Sequence, residues 1–204
     1  IDHTLIICFA ILSATGFIMI TSATLDYALQ EMSNSFHFII RHLIYLSLGL
    51  FIATIITKIK LSFYHDYSKA FLLLAFLISL IVFIPGLGRE INGARRWLDL
   101  GFITVQVSEV SRLFIMIWIC SFITKNDINK SFNKCLLMIF LLCSIILIQR
   151  DFGSTALLVF TFFSLMLIVG LNIKKLFSYL LLAVIISIPL IIFQPYRLKR
   201  IVSF

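Results

Sequence analysis

The chain has 204 residues, 61% of them hydrophobic and 13% charged, with a formal net charge of +8 and a mean hydropathy of +1.11. A soluble domain carries roughly 25% charged residues, and this chain has too little polar surface to clothe one water-soluble core. The same composition excludes disorder, which leaves an integral membrane protein. The positive charge does not mark a nucleic-acid binder, because the lysines sit in short gaps between apolar runs, where they read as topology signals.

Seven apolar runs follow one another, at residues 5–23, 38–57, 70–84, 107–124, 135–148, 154–171 and 176–193. A helix rises 1.5 Å per residue and a bilayer core of roughly 30 Å asks for about 20 residues. Each run is therefore expected to be a membrane span. The third and fifth are short, and the fifth, at 14 residues, must borrow flanking residues or stop part-way, where protein or a polar cavity supplies hydrogen bonds. The expected fold is all-α, a polytopic transmembrane helical bundle of about seven spans. With only three prolines and no low-complexity linker, residues 1–204 read as a single membrane domain. Cys8, Cys120, Cys135 and Cys143 show neither CxxC nor metal-ligand spacing and read as small buried hydrophobes. The chain starts at Ile1 without an initiator methionine and stops at Phe204 directly after a basic cluster, so it is expected to be a fragment. No basic n-region of a signal peptide precedes the first run.

Lysine placement sets the orientation. Lys58, Lys60 and Lys69, then Lys125, Lys130 and Lys134, then Lys174 and Lys175 alternate with lysine-free gaps at 24–37, 85–106 and 149–153. The positive-inside rule puts the lysine gaps in the cytoplasm, with Ile1 cytoplasmic and Gln194 onward outside. Arginines gather at the outer gaps and helix mouths: Arg41, Arg89, Arg95, Arg96, Arg112, Arg150, Arg197 and Arg200. Two explanations stand, a bidentate grip on phosphate or carboxylate, and salt bridges to Glu90, Asp99 or Glu109.

The densest polar segment is 85–112, "PGLGREINGARRWLDLGFITVQVSEVSR". Pro85, Gly86, Gly88, Asn92 and Gly93 describe a tight turning loop, and no GxxxxGK[ST] is present. Arg95 and Arg96 fit a cationic floor for a lipid-linked phosphate, and Trp97 fits a headgroup-level anchor. The alternative is a re-entrant interfacial loop with an aromatic anchor. Gln106, Ser108, Glu109 and Arg112 open the fourth run. Glu109 and Arg112 share a helical face, and Ser108 is placed to cap. A second constellation, "QRDFG", holds Gln149 and Asp151. Asp151 is placed to cap the sixth helix or to pair with Arg150 or Arg96. His3, His37, His42 and His65 show no ligand spacing, Asp26 and Glu31 read as loop acids, and "QPYRLKRIVSF" reads as an amphipathic surface segment. No nucleophile–base pair emerges from the residues alone.

"PGLGREINGARRW", "VQVSEVSR", "QRDFG" and "PYRLKRIVSF", with "FIMITSAT" and "RHLIYL", resemble the SEDS family (shape, elongation, division and sporulation), its FtsW branch more closely than RodA. The resemblance spans the whole chain and implies about ten transmembrane helices, of which seven fall here. It implies peptidoglycan glycosyltransferase activity on lipid II at the outer face of the bacterial cytoplasmic membrane during division. The implied partners are a class B penicillin-binding protein and other division membrane proteins. No permanent cofactor is implied; a divalent cation, magnesium or manganese, is compatible with activity. The family's essential aspartate is implied to lie beyond the seventh span, so residues 1–204 hold no catalytic residue, and Asp151 is not its counterpart. Arg95, Arg96, Trp97, Gln106, Ser108, Glu109, Arg112, Gln149 and Asp151 are the implied substrate-binding set, with Arg96 first as a clamp on the leaving pyrophosphate. Three departures stand out: Val107 and Arg150 replace family prolines, the second in a QPDFG pattern, and Arg112 replaces a lysine. A lipid II flippase and a non-catalytic division scaffold are the competing readings.

Overall fold

The computed structural model describes the backbone of residues 3–31, 37–91, 93–99, 101 and 104–192, and the side chains of these except 25–31, 37, 128, 130 and 186–192. The basic stretch 194–204 lies outside the described residues. In chain order come α1 (His3–Glu31), α2 (His37–Lys58), a short α3 (Leu61–Asp66) and α4 (Ser68–Ile81). Three strands follow, β1 (Gly88–Ile91), β2 (Ala94–Asp99) and β3 (Thr104–Gln106), and then α5 (Val107–Lys125), α6 (Ile128–Ile148), α7 (Phe152–Ile168) and α8 (Ile173–Ile192).

Each of the seven apolar runs falls on a helix over most of its described residues, but the expected seven spans, of an implied ten, are corrected. Among the described residues four helices are long and apolar enough to cross a membrane, His3–Thr24, Phe38–Lys58, Val107–Lys125 and Ser131–Ile148. α4, with 14 residues, and α7, with 17, fall short, because at 1.5 Å per residue they extend only about 21 and 26 Å. α4 stops where the chain enters turns through Pro85 and Gly86, and α7 begins only after Asp151. The fifth run does borrow flanking residues: α6 starts at Ile128 and reaches 21 residues. The end of the seventh run falls partly outside the described side chains. Asp26 and Glu31, expected in a loop, lie on the α1 backbone. Cys135 and Cys143 are buried as expected, whereas Cys8 and Cys120 are exposed.

The chain divides into two compact units, Ile1–Lys60 and Leu61–Phe204. In the first, α1 and α2 meet where the Phe17 ring stacks on His42, and both helices present large apolar side chains outward, among them Leu12, Met19 and Phe51. Such faces suit lipid, which needs no polar covering. In the second, Ile115, Trp118, Ile119, Phe132, Leu142, Leu158, Phe162 and Met166 form a buried core between helices. Small residues let α4 and α5 approach closely: Ser79 is fully buried, its hydroxyl 2.8 Å from both the Ala75 carbonyl and the Ser111 hydroxyl.

The segment expected as a turning loop is a three-stranded antiparallel sheet in the order β1-β2-β3. Arg89 sits opposite Trp97 and Glu90 opposite Arg95, and Trp97 in turn faces Gln106 on β3. Gly93 lies between the first two strands at φ +73°, a left-handed value that glycine adopts without strain. β3 runs directly into α5, so the sheet is fastened to a helix mouth. Gly88, at the start of β1, is pressed against the end of α4; a Cβ there would sit 2.0 Å from the Val82 carbonyl oxygen. Gly88→Ala is therefore expected to destabilise the protein by about 2 kcal/mol. Gly153→Ala, where a Cβ meets nothing within 4 Å, is expected to be neutral or to gain up to about 1 kcal/mol. Thermal unfolding in detergent compares the two.

Candidate functional site

The site is built on the three-residue corner, Gln149 to Asp151, between α6 and α7. α6 ends in a Schellman motif: the Arg150 N–H donates to the Leu147 carbonyl at 3.0 Å and the Asp151 N–H to the Ile146 carbonyl at 3.2 Å. Asp151 then serves as the N-cap of α7, its carboxylate accepting from the Ser154 N–H at 3.2 Å. Its own carbonyl accepts from the Thr155 N–H and hydroxyl. One residue thus closes one helix and opens the next.

The Asp151 carboxylate is 3% exposed and gathers donors from three separate segments. Arg96 Nη1 on β2 donates to Oδ1 at 3.3 Å, Gln106 Nε2 at the end of β3 to Oδ2 at 2.9 Å, and Ser108 Oγ in the first turn of α5 to Oδ2 at 3.0 Å. The Ser154 hydroxyl adds a fourth side-chain donor at 2.8 Å. Burial pushes the carboxyl pKa up, but the hydrogen bonds from Ser154, Gln106 and Ser108 outweigh it and hold the group below its ordinary value. Asp151 is therefore an ionised anchor with its oxygens occupied. The alternatives for its partner resolve to Arg96, since Arg150 turns outward and its Nη1 donates to the Gly93 carbonyl at 3.2 Å.

A second tier adjoins the first. Gln149 is 1% exposed, and its Nε2 donates to the Ser79 carbonyl at 2.7 Å, with Ser79 bridging to Ser111. Its Oε1 is buried without a partner in the structure, as are Arg96 Nε and Trp97 Nε1. Ser108 and Ser111, one turn apart on α5, link the tiers.

Strand alternation separates the two adjacent arginines. Arg96 faces the buried carboxylate at 19% side-chain exposure, and Arg95 lies on the open face at 55%, paired with Glu90 at 3.2 Å. Arg89 pairs with Asp99 at 3.3 Å on the exposed hairpin, and Arg112 pairs with Glu109 one turn back on α5. The structure thus brings Arg96, Gln106, Ser108 and Asp151 together, with Gln149 below them, while Arg95, Glu109 and Arg112 remain at the surface. Trp97 is half-buried beside them on β2. Ser79, Ser111 and Ser154 were missed by sequence reasoning. For Ser154 the position three residues after the N-cap candidate Asp151 was available as a signal, and Ser111 stood one turn after Ser108 in VQVSEVSR; Ser79, a lone serine inside an apolar run, offered no such signal. Among the described residues no cluster of three or more His, Cys, Asp or Glu side chains is placed to hold a metal ion.

Long apolar helices, with a polar hairpin pinned at helix mouths in the second unit, define a multi-pass membrane protein. The chain belongs to the FtsW/RodA/SpoVE family of cell cycle proteins, whose profile matches residues 2–204. It is 34% identical to the "Probable peptidoglycan glycosyltransferase FtsW" of Coxiella burnetii over 100% of this chain and 56% of that protein. It is also 34% identical to the protein of the same name from Idiomarina loihiensis, over 95% of this chain and 48% of that one. The chain thus spans about half the length of these curated relatives. Its fold matches the rod shape-determining protein RodA of Thermus thermophilus with a TM-score of 0.68 at 24% identity, covering 91% of this chain and 59% of RodA. A chain from a peptidoglycan synthase complex that coordinates polymerization and crosslinking matches with a TM-score of 0.68 at 22% identity, over 92% of this chain and 57% of that one. The chain is thus homologous to FtsW proteins named as probable peptidoglycan glycosyltransferases.

Asp151→Asn removes the charge from this hub and is expected to destabilise the protein by about 3 kcal/mol near pH 7, the scale of a broken buried pair. Because the folded carboxyl titrates below its ordinary value, its contribution is complete above the unfolded pKa of about 3.9 and is lost as pH falls through the folded pKa. The melting-temperature gap between wild type and D151N is therefore expected to narrow below about pH 4, as thermal unfolding across pH 3–7 would read.

Proposed function

We propose that the chain forms part of a peptidoglycan glycosyltransferase that polymerises lipid II at the outer face of the bacterial cytoplasmic membrane during division. The observation that carries this reading is the family match over residues 2–204, with relatives named as peptidoglycan glycosyltransferases. In this reading the lysine gaps lie in the cytoplasm, the hairpin faces outward, and a class B penicillin-binding protein works beside it among other division proteins. The fold match to a chain of a complex that couples polymerization and crosslinking supports that partnership.

The reaction makes two chemical demands. The 4-hydroxyl of an incoming unit must lose a proton as it attacks the anomeric carbon of the growing strand, and the bond from that carbon to undecaprenyl pyrophosphate must break with charge building on the leaving group. Asp151 does not suit the proton transfer, because it is buried, ionised and already holds hydrogen bonds on both oxygens. We assign no catalytic base within residues 1–204. Stabilising the leaving group suits the hairpin and the mouth of α5. Arg95 and Arg112 are paired with exposed carboxylates, and such pairs contribute only about 0–1 kcal/mol, so a pyrophosphate can draw these cations to itself. Arg96 is held by a buried partner and is costlier to redirect. In this proposal Arg96, Gln106, Ser108 and Asp151 set the hairpin's position, Trp97 seats it at headgroup level, and Arg95 and Arg112 grip the phosphates.

The test is glycan-strand synthesis from labelled lipid II by the full-length protein in detergent, with its penicillin-binding protein and a divalent cation present. Arg95→Ala and Arg112→Ala are each expected to lower kcat/KM about tenfold, the loss of one charged hydrogen bond. Arg96→Ala is expected to lose more, with partial rescue by lysine. Full rates in both R95A and R112A would remove the grip. Absence of polymer from the wild type would turn the assignment toward lipid transport or a scaffold.

A further inference from the structure

Two helices of this protein end in the same way with different residues at the critical position. α7 closes with Gly170 at φ +91°, its N–H donating to the Leu167 carbonyl and the Leu171 N–H to the Met166 carbonyl. α6 closes with the identical pair of bonds, but the left-handed residue is Arg150 at φ +61°, the only positive-φ residue other than glycine among those described. Glycine is the residue this position favours, because a Cβ there crowds the following carbonyl. A proline, as in the QPDFG pattern, can neither reach this φ nor supply the N–H that Leu147 accepts. A left-handed arginine persists only where something offsets its strain. The guanidinium supplies a candidate: Arg150 Nη1 donates to the carbonyl of Gly93, at the turn between β1 and β2, 57 residues away in sequence.

We propose that Arg150 is a positioning residue that staples the β1–β2 hairpin to the α6–α7 corner. Adjacent residues at the corner then hold the hairpin at two points: Asp151 grips Arg96 from the buried side and Arg150 grips the Gly93 carbonyl from the exposed side. With two attachments the hairpin cannot pivot about Arg96, and Arg95 is fixed in direction relative to the mouth of α5. The staple itself stands on the geometry, and only its consequence for substrate binding rests on the glycosyltransferase reading.

Hydrogen exchange on the full-length protein in detergent tests the staple without any activity. Arg150→Gly is expected to raise the melting temperature relative to Arg150→Ala, because only alanine keeps the backbone strain. Both substitutions are expected to speed exchange of the hairpin amides about fivefold, the equivalent of one lost hydrogen bond, while α6 and α7 exchange as in wild type. Arg150→Lys should restore part of that protection. Hairpin exchange in R150G equal to wild type would overturn the proposal. In lipid II polymerisation, a rise in KM at constant kcat in R150G, partly reversed in R150K, is the expected consequence. An unchanged KM alongside a loosened hairpin would overturn the positioning role, and a wild type that makes no polymer would count against the function while leaving the exchange result decisive for the staple.

Discussion

A carboxylate buried at the junction of two helices has to be surrounded by donors, since an ionised group removed from water without them would cost far more than the fold can supply. Asp151 meets this demand by drawing in β2, the end of β3, the mouth of α5 and the first turn of α7. The packing of the polar end follows from that one requirement. β3 must flow into α5 without a gap so that Gln106 and Ser108 reach the same oxygen, and β2 must present Arg96 inward. The alternation of a strand then obliges Arg95 to face out. The second tier, Gln149 with Ser79 and Ser111, extends the same logic one helical turn along α5 and ties α4 into the cluster.

The arginines sort by the exposure of their partners more than by their own positions. Arg89, Arg95 and Arg112 are balanced by exposed carboxylates, so their charge is available to another anion at little expense. Arg96 is balanced by a buried one and belongs to the framework. The arginines of the hairpin and the α5 mouth therefore fall into two physical kinds in the same molecule, one set by exposed partners and one by a buried partner.

Much of the helical framework was legible because apolar runs declare themselves: each of the seven falls mostly on a helix. Span number was less legible, because run length does not reveal where a cap or a turn cuts a helix; Pro85 and Gly86 follow the shortened α4, and Asp151 delays the start of α7. The sheet was hidden by its brevity. A four-residue strand such as Gly88–Ile91, with two charges and a glycine, carries no period-2 apolar signal. Gln106, Ser108 and Asp151 were legible as polar residues at helix mouths. Their convergence was not, because Arg150 and Arg96 were equally good candidate partners for Asp151, and only the fold, which turns Arg150 to the Gly93 carbonyl, separates them. Ser79 was invisible for another reason: a serine within an apolar run looks the same whether it bonds to its own helix or across to the next.

A double-mutant cycle between Arg96 and Asp151 tests the central claim most directly, using Arg96→Ala, Asp151→Ala and the pair, with unfolding in detergent followed at pH 7. A coupling of about 2 kcal/mol or more is expected if the buried carboxylate holds the hairpin through this arginine. Losses that simply add, to within about 0.5 kcal/mol, would show that Arg96 does not tie the hairpin to the buried carboxylate.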